Sequence, residues 1–186
     1  MTISDHTQSF NEYLGWYKQN FGYHRSPKDL EIMTGLATPY CLRGEIDAKT
    51  AFDALYGAIC YLRQTTNLDY TAIDVIRLIV SQYGGLHSEY IAPSTGELLT
   101  YEAQHINDTA PKDKEIIWAL CAPLTLNSRT RMNANLATTI VHGAISLLRQ
   151  TKGIGNYDIR DVIDTIDQTY SERGRTQMLR LLKRGT

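Results

Sequence analysis

Three segments of this chain occur twice in the same order, and this repetition constrains the fold more than any other feature of the sequence. Residues 27–32, which begin Pro-Lys-Asp, recur as residues 111–116, and residues 57–65 recur almost unchanged as residues 143–151. A third block, marked by a tyrosine and an aspartate one helical turn apart, follows in both copies. The copies are separated by about 84 to 87 residues throughout, which is typical of a protein built from repeated units.

The chain has 186 residues, a length that suits one domain or two very small ones. Helical periodicity dominates both copies, so the predicted fold is all-α. It consists of two tandem copies of a three- to four-helix unit, packed about a pseudo-two-fold axis, with a short helix at the C-terminus. The units are predicted to span residues 1–88 and 89–186. Because small chains bury less of their surface, the two units are expected to pack as one globular body.

The first helix of each repeated block has recognisable start signals. Ser26 is a favourable N-cap before Pro27, and Asp29 at the third position favours the positive end of the helix. Pro39 and its counterpart Pro123 lie later in the same helical patterns. A proline at such a position is expected to break or kink the helix.

The next helix of each unit is the most regular segment of the chain, and Asp47 is its predicted N-cap in the first copy. Gly57 and Gly143 lie inside these helices at the same position. A mid-helix glycine costs about 0.5–1 kcal/mol relative to alanine. Its presence in both copies predicts that another helix crosses closely there.

A further helix begins at Asn67 or Asp69 in the first copy and ends near Tyr83, before two glycines. Its counterpart in the second copy is more polar, because two aspartates replace an arginine and a valine. The helix of the first copy is therefore predicted to be the more deeply buried of the two.

The charge balance argues against two broad classes of function. Lys+Arg 19 against Asp+Glu 20 gives a net charge of -1. The chain thus lacks the positive excess typical of strong non-specific nucleic-acid binding, and it also lacks the acidity of a DNA mimic. A local basic patch stays open as an alternative.

The cysteines and the N-terminus predict a protein of the cytoplasm. Cys41, Cys60 and Cys121 are an odd number with no close pairing, so free, buried thiols are expected. No basic region followed by an apolar run begins the chain, so no signal peptide is predicted. Apolar stretches are too short for a membrane span, and no membrane partner is expected.

No motif specific for catalysis or metal binding is recognised. Residues 102–105 hold one glutamate and one histidine at the spacing of a helical metal motif, but such sites draw ligands from several helices. Residues 87–89 match the start of a deaminase zinc pattern, yet no Pro-Cys-x-x-Cys follows. No metal, no cofactor and no enzymatic activity are predicted, and catalytic residues dispersed along the chain are the open alternative.

Repeated polar residues are the first candidates for a binding surface. An Arg-Gln-Thr segment ends the most regular helix of each copy, where it could form matching interaction surfaces or satisfy the last helical carbonyls. Tyr70 with Asp74, and Tyr157 with Asp161, could form catalytic pairs or pack at a helix start. The candidate interaction residues are Arg63, Gln64, Arg149, Gln150, Trp16, Tyr17 and Tyr23.

The C-terminal segment is both basic and apolar, and it contains no acid after residue 172. Three interpretations are open: it contacts phosphates, it binds a partner as an amphipathic helix, or it docks on the core through its leucines. The candidate nucleic-acid contacts are Arg129, Arg131, Arg173, Arg175, Arg180, Lys183 and Arg184.

The function hypothesis that follows is a non-catalytic helical protein-interaction module, acting as an adaptor, inhibitor or regulator of another macromolecule. Duplication supplies two similar faces, and the 12 tyrosines suit a protein interface. The alternative is a nucleic-acid-binding transcription regulator that uses the basic C-terminal segment. The expected partner is a protein in the first case and nucleic acid in the second, and the oligomeric state stays open.

Overall fold

A computed structural model describes residues 3–21, 27–86, 91, 110–130 and 132–169. This part of the chain forms seven helices and no strand, which confirms the all-α fold. One isolated antiparallel bridge joins Ile91 to Asn127. The helices are α1 (Ile3–Phe21), α2 (Pro27–Leu42), α3 (Ala48–Thr65), α4 (Ala72–Tyr83), α5 (Pro111–Leu126), α6 (Ala134–Lys152) and α7 (Ile159–Thr169).

Local capping sets several helix ends. The Asp47 carboxylate accepts a hydrogen bond from the Thr50 amide at 3.0 Å, which confirms the predicted N-cap of α3. Helix α4 begins later than predicted, because Thr71 and Asp74 form a reciprocal capping box. Gly84 ends this helix in the left-handed conformation, with φ of 80°.

The two internal prolines do not break their helices. Pro39 lies inside α2 and Pro123 inside α5, and both helices continue for three more residues. Each proline removes one backbone donor. Threonine hydroxyls bond to carbonyls in the same turns, from Thr38 in α2 and from Thr125 in α5.

Helix α3 is the centre of the core. All of its residues from 50 to 62 are buried, because α1, α2, α4 and α5 surround it. Its most extensive contact is with α5, whose residues 116–126 are buried as well. Aromatic contacts join these helices: Phe52 packs against Phe10 of α1, and Tyr56 meets the edge of Trp118 at a centroid distance of 5.2 Å.

The contacts among the described helices do not confirm the predicted pseudo-two-fold axis. Such an axis would exchange α2 with α5 and α3 with α6, so the α3–α5 contact would recur between α2 and α6. Among the described helices, α2 and α6 have no comparable contact. Instead α2, α3, α5 and α6 pack in succession, while α4 covers α3 and α7 covers α6.

Among the described helices, the close crossing predicted from the glycines is found at Gly57. A Cβ placed on Gly57 would lie 2.6 Å from the Ala122 Cβ, far inside normal contact distance. Only glycine therefore allows α3 and α5 to approach this closely. Gly143, at the same position of α6, is exposed.

Two further expectations have opposite outcomes. Cys41, Cys60 and Cys121 are free and buried, as predicted. Helix α4, however, is not more deeply buried at its distinguishing positions: Arg77 and Val80 are both exposed. No described helix is both long and apolar enough to cross a membrane.

Candidate functional site

Three repeated residues of the first copy form a buried hydrogen-bonded triad. Asp29 of α2 is fully buried, and two of the residues that bond to it come from other segments. Arg63, near the end of α3, donates from Nη1 to Asp29 Oδ2 at 2.9 Å. Tyr70, in the segment before α4, donates from Oη to Asp29 Oδ1. The triad thus ties three consecutive helical segments together.

The second copy forms the same triad from the equivalent residues. Arg149 of α6 donates from Nε and Nη2 to Asp113 Oδ2 of α5, at 3.1 and 2.5 Å. Tyr157, just before α7, donates from Oη to Asp113 Oδ1 at 2.6 Å. A charged hydrogen bond to each carboxylate compensates the cost of burying it.

The triad of the first copy has an additional contact, which crosses to the second repeat. Arg63 also donates from Nε to Glu115 Oε1 of α5 at 2.9 Å, and Gln64 donates to Glu115 Oε2 at 2.5 Å. The Arg-Gln pair at the end of α3 therefore holds the start of α5. Gln150, which follows Arg149 in α6, is exposed.

The electrostatics of the triads suit a structural role. Burial, reinforced by the neighbouring Asp29 carboxylate, raises the pKa of Tyr70, and burial with Asp113 raises the pKa of Tyr157. Burial disfavours the charge on Arg63, but Glu115 and Asp29 outweigh it and raise its pKa. A raised pKa keeps each tyrosine protonated, so that its hydroxyl can donate to the buried aspartate.

Asp74 and Asp161, which the sequence analysis paired with these tyrosines, have a different role. Asp74 caps α4 through the Thr71 backbone amide at 2.8 Å. Asp161 accepts from Lys152 Nζ at 2.6 Å and from the Asp158 backbone amide at 2.9 Å. Both carboxylates therefore stabilise helix ends, and the tyrosines bond to the aspartates of α2 and α5 instead.

The remaining predicted site residues are dispersed. Arg63, Gln64 and Arg149 are engaged within the molecule, as described above, whereas Gln150 and Arg129 are exposed. Residues 16 and 17 belong to α1, but their side chains lie outside the described part of the structure. Entirely outside it lie Tyr23, Arg131, Arg173, Arg175, Arg180, Lys183 and Arg184, together with the predicted C-terminal helix.

The described residues contain no group of three or more potential metal ligands. The two stretches considered for metal binding, residues 87–89 and 102–105, lie outside the described ranges. One buried acid does stand apart from the triads. Asp53 of α3 accepts from Tyr13 Oη of α1 at 3.1 Å and from Lys49 Nζ at 3.3 Å.

Burial raises the pKa of Asp53 to about 6, although Lys49 and Tyr13 oppose the shift. The pKa of an aspartate in the unfolded chain is near 4, so Asp53 binds its proton more tightly in the folded protein. The folded state is therefore stabilised fully below about pH 4, and this stabilisation is lost as the pH rises through about 6. Asp53→Asn removes the titration. We expect the stability of the variant relative to wild type to increase by about 3 kcal/mol between about pH 4 and pH 7.

Urea unfolding at a series of pH values measures this difference. Asp164→Asn, which changes an exposed aspartate of α7, is the control and should give a nearly constant difference. A constant difference for Asp53→Asn as well would contradict the assigned effect of burial.

Two exposed apolar stripes were missed by sequence reasoning. On α4, Ile73, Ile76 and Val80 are 59%, 45% and 57% exposed and share one face at spacings of three and four residues. On α6, Leu136 and Leu147 are 53% and 44% exposed on either side of Gly143. The signal for α4 was present in the sequence, because this helix has apolar residues on two faces and one core can cover only one.

Comparison of the chain with protein-family models, with curated proteins and with solved structures gives no match.

Proposed function

We propose that this protein is a non-catalytic helical protein-interaction module, an adaptor, inhibitor or regulator that binds its partner through α4. The observation that carries the proposal is the α4 stripe, defined as Ile73, Ile76 and Val80. These side chains occupy positions i, i+3 and i+7, the spacing with which a helix enters a hydrophobic groove. Contiguous exposed apolar surface of this kind marks interaction sites on soluble proteins.

The surroundings of the α4 stripe favour a protein partner. Arg77, 78% exposed, lies within the stripe, and arginine is enriched at protein interfaces. Leu68, in the turn before α4, is another exposed apolar side chain, with 56% of its surface accessible. Covering this surface would contribute about 25 cal/mol for each Å² removed from water, before the costs of association.

The proposal includes the tandem architecture. We infer that the chain consists of two related units, each held by one Asp-Arg-Tyr triad and arranged head to tail. The matching triads support this inference, since the same three positions make the same bonds in both copies. The surfaces of the units have diverged: the α4 stripe positions correspond in α7 to an arginine, an isoleucine and an aspartate.

The test is an affinity pull-down from native lysate with the full chain, with and without nuclease. The variant Ile76→Glu/Val80→Glu places two charges in the α4 stripe without touching a buried residue. Gln168→Glu, an exposed change on α7, is the control. We expect wild type and the Gln168→Glu control to capture a partner protein in stoichiometric amount, with or without nuclease. The double variant should not capture this partner.

Two results would overturn the proposal. If the captured protein binds the double variant as well as wild type, the α4 stripe does not carry the function. If the main captured species is nucleic acid, or if the partner is lost on nuclease treatment, the nucleic-acid-binding regulator replaces the interaction module. Folding of each variant is verified by circular dichroism before the comparison.

A further inference from the structure

The contact between α3 and α5 joins two surfaces that both recur in the chain. On α3 the contact is made by the face that contains Gly57 and ends at Gln64, and on α5 by the face that contains Glu115, Trp118 and Ala122. By the sequence register of the repeats, α6 carries the counterpart of the α3 face and α2 the counterpart of the α5 face.

No helix of the described residues covers the counterpart on α6. We define the α6 face as Leu136, Thr139, Gly143, Leu147 and Gln150, which follow one another at spacings of three and four residues. All five are exposed. The equivalent positions of α3 are buried or, at Gln64, half-buried: Thr50, Asp53, Gly57, Tyr61 and Gln64. The α6 face therefore has the register of a helix-packing surface but no helix of the described chain on it.

The counterpart on α2 is also accessible. We define the α2 face as Glu31, Thr34, Gly35 and Thr38, which align with Glu115, Trp118, Ala119 and Ala122 of α5. Glu31 and Gly35 are exposed, and the two threonines are half-buried. Gly35 and Thr38 are small, like Ala119 and Ala122 at the equivalent positions of α5. Glu31 is equivalent to Glu115, the glutamate that α3 binds in the internal contact.

We propose that the α6 face of one copy binds the α2 face of a second copy, so that the protein associates head to tail. Glu31 of the second copy takes the place of Glu115, facing Gln150 and the neighbouring Arg149. The internal contact is the model for this arrangement, because Arg63 binds Asp29 and Glu115 at the same time. Thr38 of the second copy lies against Gly143, where the absence of a side chain allows close approach.

The geometry dictates the form of the assembly. The two faces differ, so the contact is heterologous. An assembly therefore has an open α6 face at one end and an open α2 face at the other. Association of this kind continues into chains or closes into a ring, and it does not stop at an isologous dimer. The exposed Leu136 and Leu147 supply the apolar surface that drives it. This inference uses faces distinct from the α4 stripe and does not depend on it.

Sedimentation velocity of the full chain over a wide concentration range tests the inference. Wild type should form species larger than a dimer as the concentration rises. Gly143→Gln blocks the α6 face, and Glu31→Lys places a positive charge against Gln150 and Arg149; each should weaken association about tenfold or more, equivalent to about 1.4 kcal/mol. Both changes are at exposed positions, and Gly143→Gln improves helix propensity, so folding is expected to persist.

Mixing the two variants gives the sharpest result. Each variant keeps one intact face, so each alone assembles only through the weakened contact, whereas an equimolar mixture should form a 1:1 dimer at concentrations where neither variant associates alone. Monomeric wild type at every concentration would overturn the inference, and so would association that both variants leave unchanged. A monomeric protein whose lysate partner still depends on the α4 stripe would overturn only the self-association and leave the proposed function standing.

Discussion

Arg63→Ala is expected to lower the free energy of unfolding by about 3–5 kcal/mol, the range for removing one partner of a buried ion pair. The guanidinium of Arg63 contacts the fully buried Asp29 and the mostly buried Glu115, both at 2.9 Å. Without it, Asp29 keeps the Tyr70 hydroxyl but has lost its charged donor. The loss also removes one of the two α3 side chains that hold Glu115 at the start of α5, which weakens the contact between the repeats although Gln64 still donates to Glu115.

Urea denaturation at neutral pH measures this effect against two controls. Arg149→Ala should cost less, because Arg149 binds Asp113 within its own repeat, whereas Arg63 holds two carboxylates and one of them belongs to the other repeat. Arg43→Ala, which removes an exposed ion pair with Glu45, should change stability by less than about 1 kcal/mol. Equal losses for Arg63→Ala and Arg43→Ala would show that the triad does not hold the fold together.

Gly57→Ala is expected to destabilise the protein by about 1–3 kcal/mol, although alanine is the better helix former. The added methyl would lie 2.6 Å from the Ala122 Cβ, so α3 and α5 must separate. Both helices are buried along most of their length, and the shift therefore disturbs the centre of the core.

The second repeat offers a matched control for this substitution. Gly143→Ala changes the equivalent position on the exposed face of α6 and should stabilise the protein by about 0.5–1 kcal/mol. Measurements at low protein concentration keep self-association out of the comparison. Ala122→Gly should recover much of the loss caused by Gly57→Ala, since it removes the colliding methyl. A stabilising Gly57→Ala would contradict the close approach.

Local features of the fold could be predicted from the sequence, because they depend on residues close together in the chain. Asp47 caps α3 and Gly84 ends α4, and both signals were recognisable from a few neighbouring residues. The start of α4 was placed too early, since Asn67 and Asp69 are turn residues before the true cap. Asn67 adopts a positive φ of 51°, a conformation that asparagine tolerates well.

The triads show what repetition can and cannot predict. Repetition singled out Asp29, Arg63 and Tyr70 as positions of interest, but it did not indicate that they touch one another. Asp29 lies 34 residues from Arg63 and 41 from Tyr70, so their contact depends on how α2, α3 and α4 pack. The Arg-Gln-Thr segments therefore suggested a binding surface, whereas both of their arginines bond to buried aspartates.

The arrangement of the units depended on information that periodicity does not contain. The same helical pattern fits a two-fold or a head-to-tail assembly, because each gives every helix one buried stripe. Gly57 and Gly143 illustrate this point: both were predicted to lie at a close crossing, and one is buried while the other is exposed. Which face of a repeated helix stays open is decided by the neighbour that follows it.

The reactivity of a thiol placed on the α6 face tests the central claim most directly. The three native cysteines are free and buried, and burial raises the pKa of Cys41 and Cys121 to about 12, so they should react slowly in the folded protein. In the Thr139→Cys variant, which keeps Gly143 and places a small side chain at another exposed position of the α6 face, one additional thiol should react rapidly with a disulfide reagent at low protein concentration and become protected as the concentration rises. An unreactive thiol at every concentration would show that this face is already covered within one chain, and a thiol that is never protected would show that no second copy binds it.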